Sequence, residues 1–332
     1  MSKFLFRVDA GGNVGLGHFY RSWHLARELK KRGHIIEFIH RPSNFWKDQW
    51  AFDFIHTNLN AENELEQTVR ILQKGKFDTL FVDGMLEFEQ ATFKTIKKLV
   101  KVVFYQVNTA SRHLSDIFIL PSIHQEADFF NVFDEKTKIF QGLSYFTFNP
   151  NISSQSRKPF NSLKEVKSVG IITGGSDPEN VLLRLYDLID FTKFEGIKFH
   201  FFFGNNFMHL NTIPLKVPNN VVFSPFGFDQ ILQTDLMVST FGVSTYEFMC
   251  LGMPILSLGH QKSNAYASKI LAQRTNAIFH LGEISELTSK DLTKNLERYN
   301  NEKSSRESLV INSKKTIDLK GVDRVVNILE NE

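Results

Sequence analysis

Asn13-Val14-Gly15-Leu16-Gly17-His18-Phe19-Tyr20-Arg21 follows a short apolar run at residues 4–8. An apolar strand that enters a glycine turn and then a helix leaves free backbone N–H groups at the helix N-terminus. Such a terminus receives a phosphate or another anion. His18 stands in the first turn of the expected helix, and imidazole is the side chain that ordinarily titrates nearest neutrality. A proton-transfer group beside an anion site points to an enzyme. Gly15 and Gly17 are therefore candidate substrate-binding residues, and His18 a candidate catalytic group. The spacing, with Gly11 and Gly12 before it, lacks the third glycine of the dinucleotide pattern. A ligand-free turn and a purely structural histidine are the simpler alternatives.

The first half alternates strands and helices. Strands are expected at 4–8, 35–39, 79–82, 102–106 and 117–120, and helices at 18–32, 62–74 and 88–99. This βαβα order predicts an open parallel sheet with helices on both faces. Residues 149–167 carry Pro150, Pro159 and a Ser/Asn/Lys-rich stretch, which reads as a linker. A second α/β series begins at 168, with strands at 168–173, 198–203, 221–223, 237–239 and 255–257. Helices are expected at 179–190, 244–250, 265–274 and 318–332. The expected fold class is α/β, with two Rossmann-like open parallel-sheet domains, 1–150 and 151–332, facing a central cleft. Ligands of such sheets sit beyond the carboxyl ends of the strands.

Two further strings repeat the strand–glycine–helix arrangement. Gly174-Gly175-Ser176-Asp177-Pro178 follows an apolar strand, and Ser176 or Asp177 can cap the next helix with Pro178 in its first turn. Either it is a plain capped turn, or Gly174 and Gly175 border a diphosphate. Ser239-Thr240-Phe241-Gly242-Val243-Ser244-Thr245-Tyr246-Glu247 is the other. Ser244 and Thr245 offer hydroxyl and amide donors to phosphate. Glu247 can accept from ribose hydroxyls or simply interact with the helix dipole. Asn264 is either an N-cap or a substrate contact. Asp83 ends a strand at Asp83-Gly84-Met85, where catalytic carboxylates occur and where Asp-Gly also makes ordinary turns.

Composition narrows the class. The 332 residues suggest two domains, and a hydrophobic content of 42% supplies two cores. A net charge of +3 on this length makes nucleic acid an unsuitable main partner. No apolar run approaches the ~18 residues that span a bilayer. The N-terminus shows no signal peptide, and the one cysteine, Cys250, sits in an apolar helical stretch and suits a reducing compartment. A cytoplasmic protein is expected. The histidines form no recognised metal-ligand spacing, and no metal or other cofactor is expected. Oligomeric state is not legible.

Taken together, these strings resemble the UDP-sugar hydrolase of the pseudaminic acid pathway and its spore-coat-polysaccharide relatives. The likeness runs through Arg7-Val8-Asp9-Ala10, Gly15-Leu16-Gly17-His18 with Arg21, and Gly174-Gly175-Ser176-Asp177-Pro178. It continues through Ser244-Thr245-x-Glu247, Leu251-Gly252-x-Pro254 and Asn264-Ala265. The resemblance implies the two-domain glycosyltransferase-B fold and a UDP-sugar as small-molecule substrate. It implies that His18 activates water against the anomeric carbon, with Asp83 in the catalytic set. Gly15, Gly17, Arg21, Gly174, Gly175, Ser244, Thr245, Glu247 and Asn264 would bind substrate. Hydrolysis is the first expectation; a glycosyltransferase of the same fold and a non-catalytic nucleotide-sugar-binding paralogue are the alternatives. Where the family has a histidine-tyrosine pair after the strand aspartate, this chain has Gly84-Met85.

Overall fold

A computed structural model describes residues 1–11, 16–47, 52–153, 155, 165–204 and 206–332. The chain divides into two compact units, Met1–Ser154 with Leu319–Glu332, and Gln155–Asp318.

The first unit runs β1 (Lys3–Val8), α1 (Gly17–Lys31), β2 (Ile35–His40), α2 (Asn44–Lys47), β3 (Ile55–Asn58), α3 (Glu64–Gly75) and β4 (Thr79–Asp83). It continues with α4 (Gln90–Leu99), β5 (Lys101–Tyr105), β6 (Ile117–Leu120), β7 (Lys138–Gln141) and α5 (Pro150–Ser153). Its seven strands pair in parallel in the order β3-β2-β1-β4-β5-β6-β7. Strands of such a sheet are apolar on both faces. Along β1 the alternation sends Phe4, Phe6 and Val8 into one core with Leu25 and Leu29 of α1. Leu5 goes to the opposite core with Leu72 of α3 and Phe93 of α4. Phenylalanine rings fill the first core, with Phe6 stacked on Phe81 at 4.5 Å and tilted against Phe38 at 5.3 Å.

The second unit runs β8 (Ser168–Ile172), α6 (Val181–Leu188), β9 (Lys198–Phe203), β10 (Val221–Pro225), α7 (Phe228–Ile231) and β11 (Leu236–Thr240). Then come α8 (Val243–Cys250), β12 (Ile255–Gly259), α9 (Lys262–Thr275), β13 (Phe279–Glu283), α10 (Ser289–Asn301) and α11 (Lys303–Thr316). Its six strands are also parallel, in the order β10-β9-β8-β11-β12-β13. Cys250 is buried in α8. Among the described residues no helix is long and apolar enough to cross a membrane.

The division differs from the expected 1–150 and 151–332 at the chain's end. The last helix, α12 (Gly321–Asn331), belongs to the first unit. The cause is both apolar and ionic. Val325 and Val326 are fully buried against α1. Arg32, just past α1, reaches Asn327 at 2.8 Å, Glu330 at 3.0 Å and Asp323 at 3.1 Å. His34 adds a contact to Glu330 at 2.9 Å.

Three edge strands, β3, β7 and β13, the helices α10 and α11, and the single-turn helices α2, α5 and α7 lie outside the strands and helices expected from sequence. Ile55 and most of β3 and β7 are exposed, so these strands carry little of the apolar patterning that marks a buried strand. In each sheet the chain reverses direction of growth beside its first strand, between β1 and β4 and between β8 and β11. Ligands of open α/β sheets bind outside the carboxyl ends of the strands at such switch points.

Candidate functional site

In the first unit the switch point gathers the end of β1, the first turn of α1 and the end of β4, with Val8 level with Asp83 in the sheet. Helical spacing does the rest. His18, Arg21 and Ser22 lie at i, i+3 and i+4, hence on one face of α1, and all three meet Asp83. His18 Nδ1 is 2.7 Å from Asp83 Oδ1. Arg21 Nε donates to Oδ2 at 2.7 Å, Nη2 donates to Oδ1, and the Ser22 hydroxyl donates to Oδ2 at 2.9 Å.

Asp83 is fully buried. Burial alone would raise its pKa, but the charge of Arg21, then His18, and their hydrogen bonds outweigh it and hold the carboxyl at about 2. Arg21 is buried too. Burial pulls its pKa down and the Asp83 carboxylate overrides this, keeping the guanidinium charged. The Tyr105 ring lies 4.9 Å from that guanidinium.

This geometry revises two expected roles. Asp83 has no exposed surface and four donors on its two oxygens, so it orients His18 and touches no substrate. Arg21 spends its guanidinium on Asp83 and on Gln106, whose Oε1 it reaches at 2.6 Å, so it is not a ligand contact. His18 is different, with 22% of its side chain exposed. A carboxylate only accepts, so Nδ1–H is assigned as the donor to Asp83. Arg21 Nη2 also approaches Nδ1 at 2.7 Å, but Asp83 is the stronger acceptor of its hydrogen. Nε2 is left as a base with no hydrogen-bond partner among the described residues. Gly17 is exposed, and a Cβ built there would meet nothing within 4 Å. Gly15 lies outside the described residues.

At the end of β1, Arg7 and Asp9 form a second buried pair, to which the sequence assigned no role. Arg7 Nη1 donates to Asp9 Oδ1 at 2.6 Å and Nε to Glu64 Oε1 at 2.8 Å. The Arg41 backbone N–H, just past β2, donates to Asp9 Oδ1 at 2.7 Å. Burial pushes the Asp9 carboxyl up, and Arg7 and Arg41 more than reverse it. The pair fixes the exits of β1 and β2. Its signal was the i, i+2 spacing at a strand end, which puts both charges on one face.

In the second unit the two glycine strings behave differently. Gly174 has φ +102°, a conformation that glycine adopts without strain. The Gly175 backbone packs so closely on Gly204 that a Cβ at Gly204 would lie 2.3 Å from the Gly175 carbonyl oxygen. Both Gly174 and Gly175 face open space on their own Cβ sides. Asp177 occupies the start of α6, accepting from the N–H groups of Val181 and Leu182 at 2.9 Å each and from the Thr173 hydroxyl at 2.9 Å. Those two amides are therefore not available to a phosphate.

The start of α8 has no side-chain cap. Neither the Val243 and Ser244 N–H groups nor the Ser244 hydroxyl has a partner among the described residues. Thr245 is buried; its hydroxyl accepts from Gly242 N–H at 3.3 Å and lies 3.5 Å from the Thr240 carbonyl oxygen. It shapes the loop, and its hydroxyl is buried where the expected phosphate donor would have to be open. Asn264 likewise uses Nδ2 to hold the Phe241 carbonyl at 3.2 Å, tying α9 to the loop before α8.

Ser244 and Glu247 share the outward face of α8 at i, i+3. The Glu247 carboxylate has no hydrogen bond or ion pair among the described residues, and burial pushes its pKa up to about 7. The sign of this shift sets a prediction. Between the ordinary value of 4.5 and about 7, the folded protein holds a proton that the unfolded chain has released. Stability therefore falls as pH rises through that window. Glu247→Gln should raise the melting temperature at pH 8 and change it little at pH 4, as thermal unfolding at the two pH values will show. No gain at pH 8 would mean the carboxyl is not strained by its surroundings. Among the described residues no group of three or more His, Cys, Asp or Glu side chains could hold a metal ion.

No family model matches the chain. It is 24% identical over 340 residues to the spore coat polysaccharide biosynthesis protein SpsG of Bacillus subtilis, covering 98% of this chain and 96% of SpsG. Among solved structures, Acinetobacter baumannii MurG aligns over the full length of both chains with a TM-score of 0.68 at 14% identity. The spinosyn rhamnosyltransferase SpnG complexed with thymidine diphosphate also aligns over both full lengths, with a TM-score of 0.66 at 12% identity. The fold is thus that of the glycosyltransferase-B class, two parallel-sheet α/β units of seven and six strands.

Proposed function

We propose that this chain is a nucleotide-sugar glycosyltransferase of surface-polysaccharide assembly. The observation that carries the reading is His18, oriented through Nδ1 by a buried carboxylate and open at Nε2, at the switch point of a glycosyltransferase-B unit. The polysaccharide role in the name of SpsG supports the pathway type, and the likeness to the rhamnosyltransferase SpnG supports transfer over the hydrolysis expected first.

In this reading the second unit holds the donor. The amides of Val243 and Ser244 and the Ser244 hydroxyl take the diphosphate, helped by the positive end of the α8 dipole. Glu247 accepts from ribose hydroxyls, and Gly174 and Gly175 leave room for the nucleotide. The first unit supplies the base. His18 Nε2 takes the proton of an acceptor hydroxyl as its oxygen bonds to the anomeric carbon. The bond from that carbon to the diphosphate oxygen breaks, and the nucleoside diphosphate leaves with the electron pair. Fixed amides at α8 offset the charge that grows on it.

The test is a phosphorus NMR time course with UDP- and dTDP-sugars, with and without sugar acceptors. Nucleoside diphosphate released only with an acceptor supports transfer. Equal release without one makes water the acceptor and restores the hydrolase. Tight binding without release would leave a nucleotide-sugar-binding protein. Glu247 supplies a second check. An ionised carboxylate accepts from ribose and a protonated one does so poorly, so nucleoside diphosphate affinity should fall about tenfold from pH 8 to pH 6. Titration calorimetry at both values should show this slope in the wild type and lose it in Glu247→Gln.

A further inference from the structure

Gln106 follows β5 in a left-handed conformation, φ +53°. Few residues other than glycine adopt it, and those that do are enriched in Asn and Asp. Lys76 and Asn276 share it as helix C-caps, and Asp177 and Asn180 lie in the turn before α6. Gln106 has neither reason. It stands at the carboxyl end of a sheet-interior strand, directly after Tyr105, which is level with Asp83. Strained backbone at such a place is held by its surroundings and marks functional positions. Here the holding groups are visible. The Gln106 N–H donates to the Ile119 carbonyl at 2.9 Å, and the side chain is pinned by Arg21.

The pin also fixes which way the carboxamide faces. Arginine only donates, so the group 2.6 Å from Arg21 Nη1 is the amide oxygen. The NH2 group is then turned away from the guanidinium, and its hydrogens have no partner among the described residues. His18 Nδ1 lies 2.7 Å from the other terminal nitrogen of the same guanidinium. Imidazole and carboxamide therefore contact the two terminal nitrogens of one buried guanidinium, one group offering a base and the other a donor. Gln106 is half-buried, and its Nε2 is not among the buried side-chain nitrogens left without a partner.

We infer that Gln106 is a substrate-binding residue of this reaction, its Nε2 donating to an oxygen of the hydroxyl-bearing acceptor whose proton His18 takes. The inference rests on the transferase reading above. The deciding variant is Gln106→Glu. A carboxylate keeps, and strengthens, the contact to Arg21, but it has no hydrogen to donate and repels an acceptor oxygen. Gln106→Ala loses the donor and the Arg21 contact together.

The expected result is a rise of about 10–100-fold in KM for the acceptor in both variants, with KM for the donor sugar unchanged. A kcat loss in both variants at unchanged acceptor KM would show that Gln106 acts only through Arg21 and would overturn the inference. Wild-type kinetics in Gln106→Glu with a loss in Gln106→Ala would overturn it in the same way. A wild-type enzyme that releases nucleoside diphosphate at the same rate with and without acceptor would instead remove the transferase reading, and this inference with it.

Discussion

His18→Ala should lower turnover by about two to four orders of magnitude, the usual contribution of a positioned general base. Nucleoside diphosphate affinity should stay within about twofold, because the groups assigned to the nucleotide lie in the other unit. Stability should change little as well. The imidazole is one of four donors to Asp83, and the other three remain on Arg21 and Ser22. Steady-state kinetics, calorimetry and thermal unfolding on one variant separate these statements. His18→Gln adds a control: a carboxamide in place of the ring keeps a polar group there but supplies no base at neutral pH, so it should be as slow as the alanine variant. Turnover within threefold of wild type in either variant would remove His18 from the mechanism and leave its bond to Asp83 a purely structural one.

Much of this site was legible because its logic is local. A strand, a glycine turn and a helix lie within some twenty residues, and they place His18 without any knowledge of the rest of the chain. Arg21 was equally visible, but its role was not. The i+3 spacing says that Arg21 shares a face with His18; it does not say that the face is turned inward onto a buried carboxylate. Thr245 and Asn264 were ambiguous for a related reason, since a hydroxyl or carboxamide near a helix start serves a ligand or the loop itself with equal chemistry. Asp177 shows the reverse, a capping role that a sequence can state and that the structure bears out at 2.9 Å. Gln106 was invisible, because its importance lies in a backbone angle and in a contact made across 85 positions of sequence. At the level of the fold, the buried strands announced themselves by apolar runs, while β3, β7 and β13 lie at sheet edges where that pressure is weak. The return of α12 depends on Arg32 meeting carboxylates some 290 residues away, which no local pattern encodes.

Asp83→Asn should be the most damaging single change to the fold near the site. It leaves the Arg21 guanidinium buried beside a neutral amide whose NH2 group confronts donors. Breaking a buried pair by removing one partner costs about 3–5 kcal/mol. Activity should fall further than stability explains. An asparagine that turns its oxygen to Arg21 presents hydrogens to His18 Nδ1, which must then accept, moving the ring proton to Nε2 and abolishing the base. An amide in place of a histidine-orienting carboxylate costs about 10⁴ in rate by this route. The pH dependence of the wild type follows from the same group. Its folded pKa of about 2 lies below the ordinary 3.8, so the stabilisation is complete above that ordinary value and is lost as pH falls toward 2. The stability curve of Asp83→Asn should therefore be flatter on the acid side. A double variant, Arg21→Met with Asp83→Asn, separates the two effects. Removing both charges takes away the unpaired cation, so most of the lost stability should return, whereas the base, no longer oriented, should stay inactive. Chemical denaturation and single-turnover kinetics on the two single variants and the double variant complete the cycle. If Asp83→Asn alone unfolds within 1 kcal/mol of wild type and turns over within tenfold of it, the buried Asp83–Arg21 pair is not what organises the base.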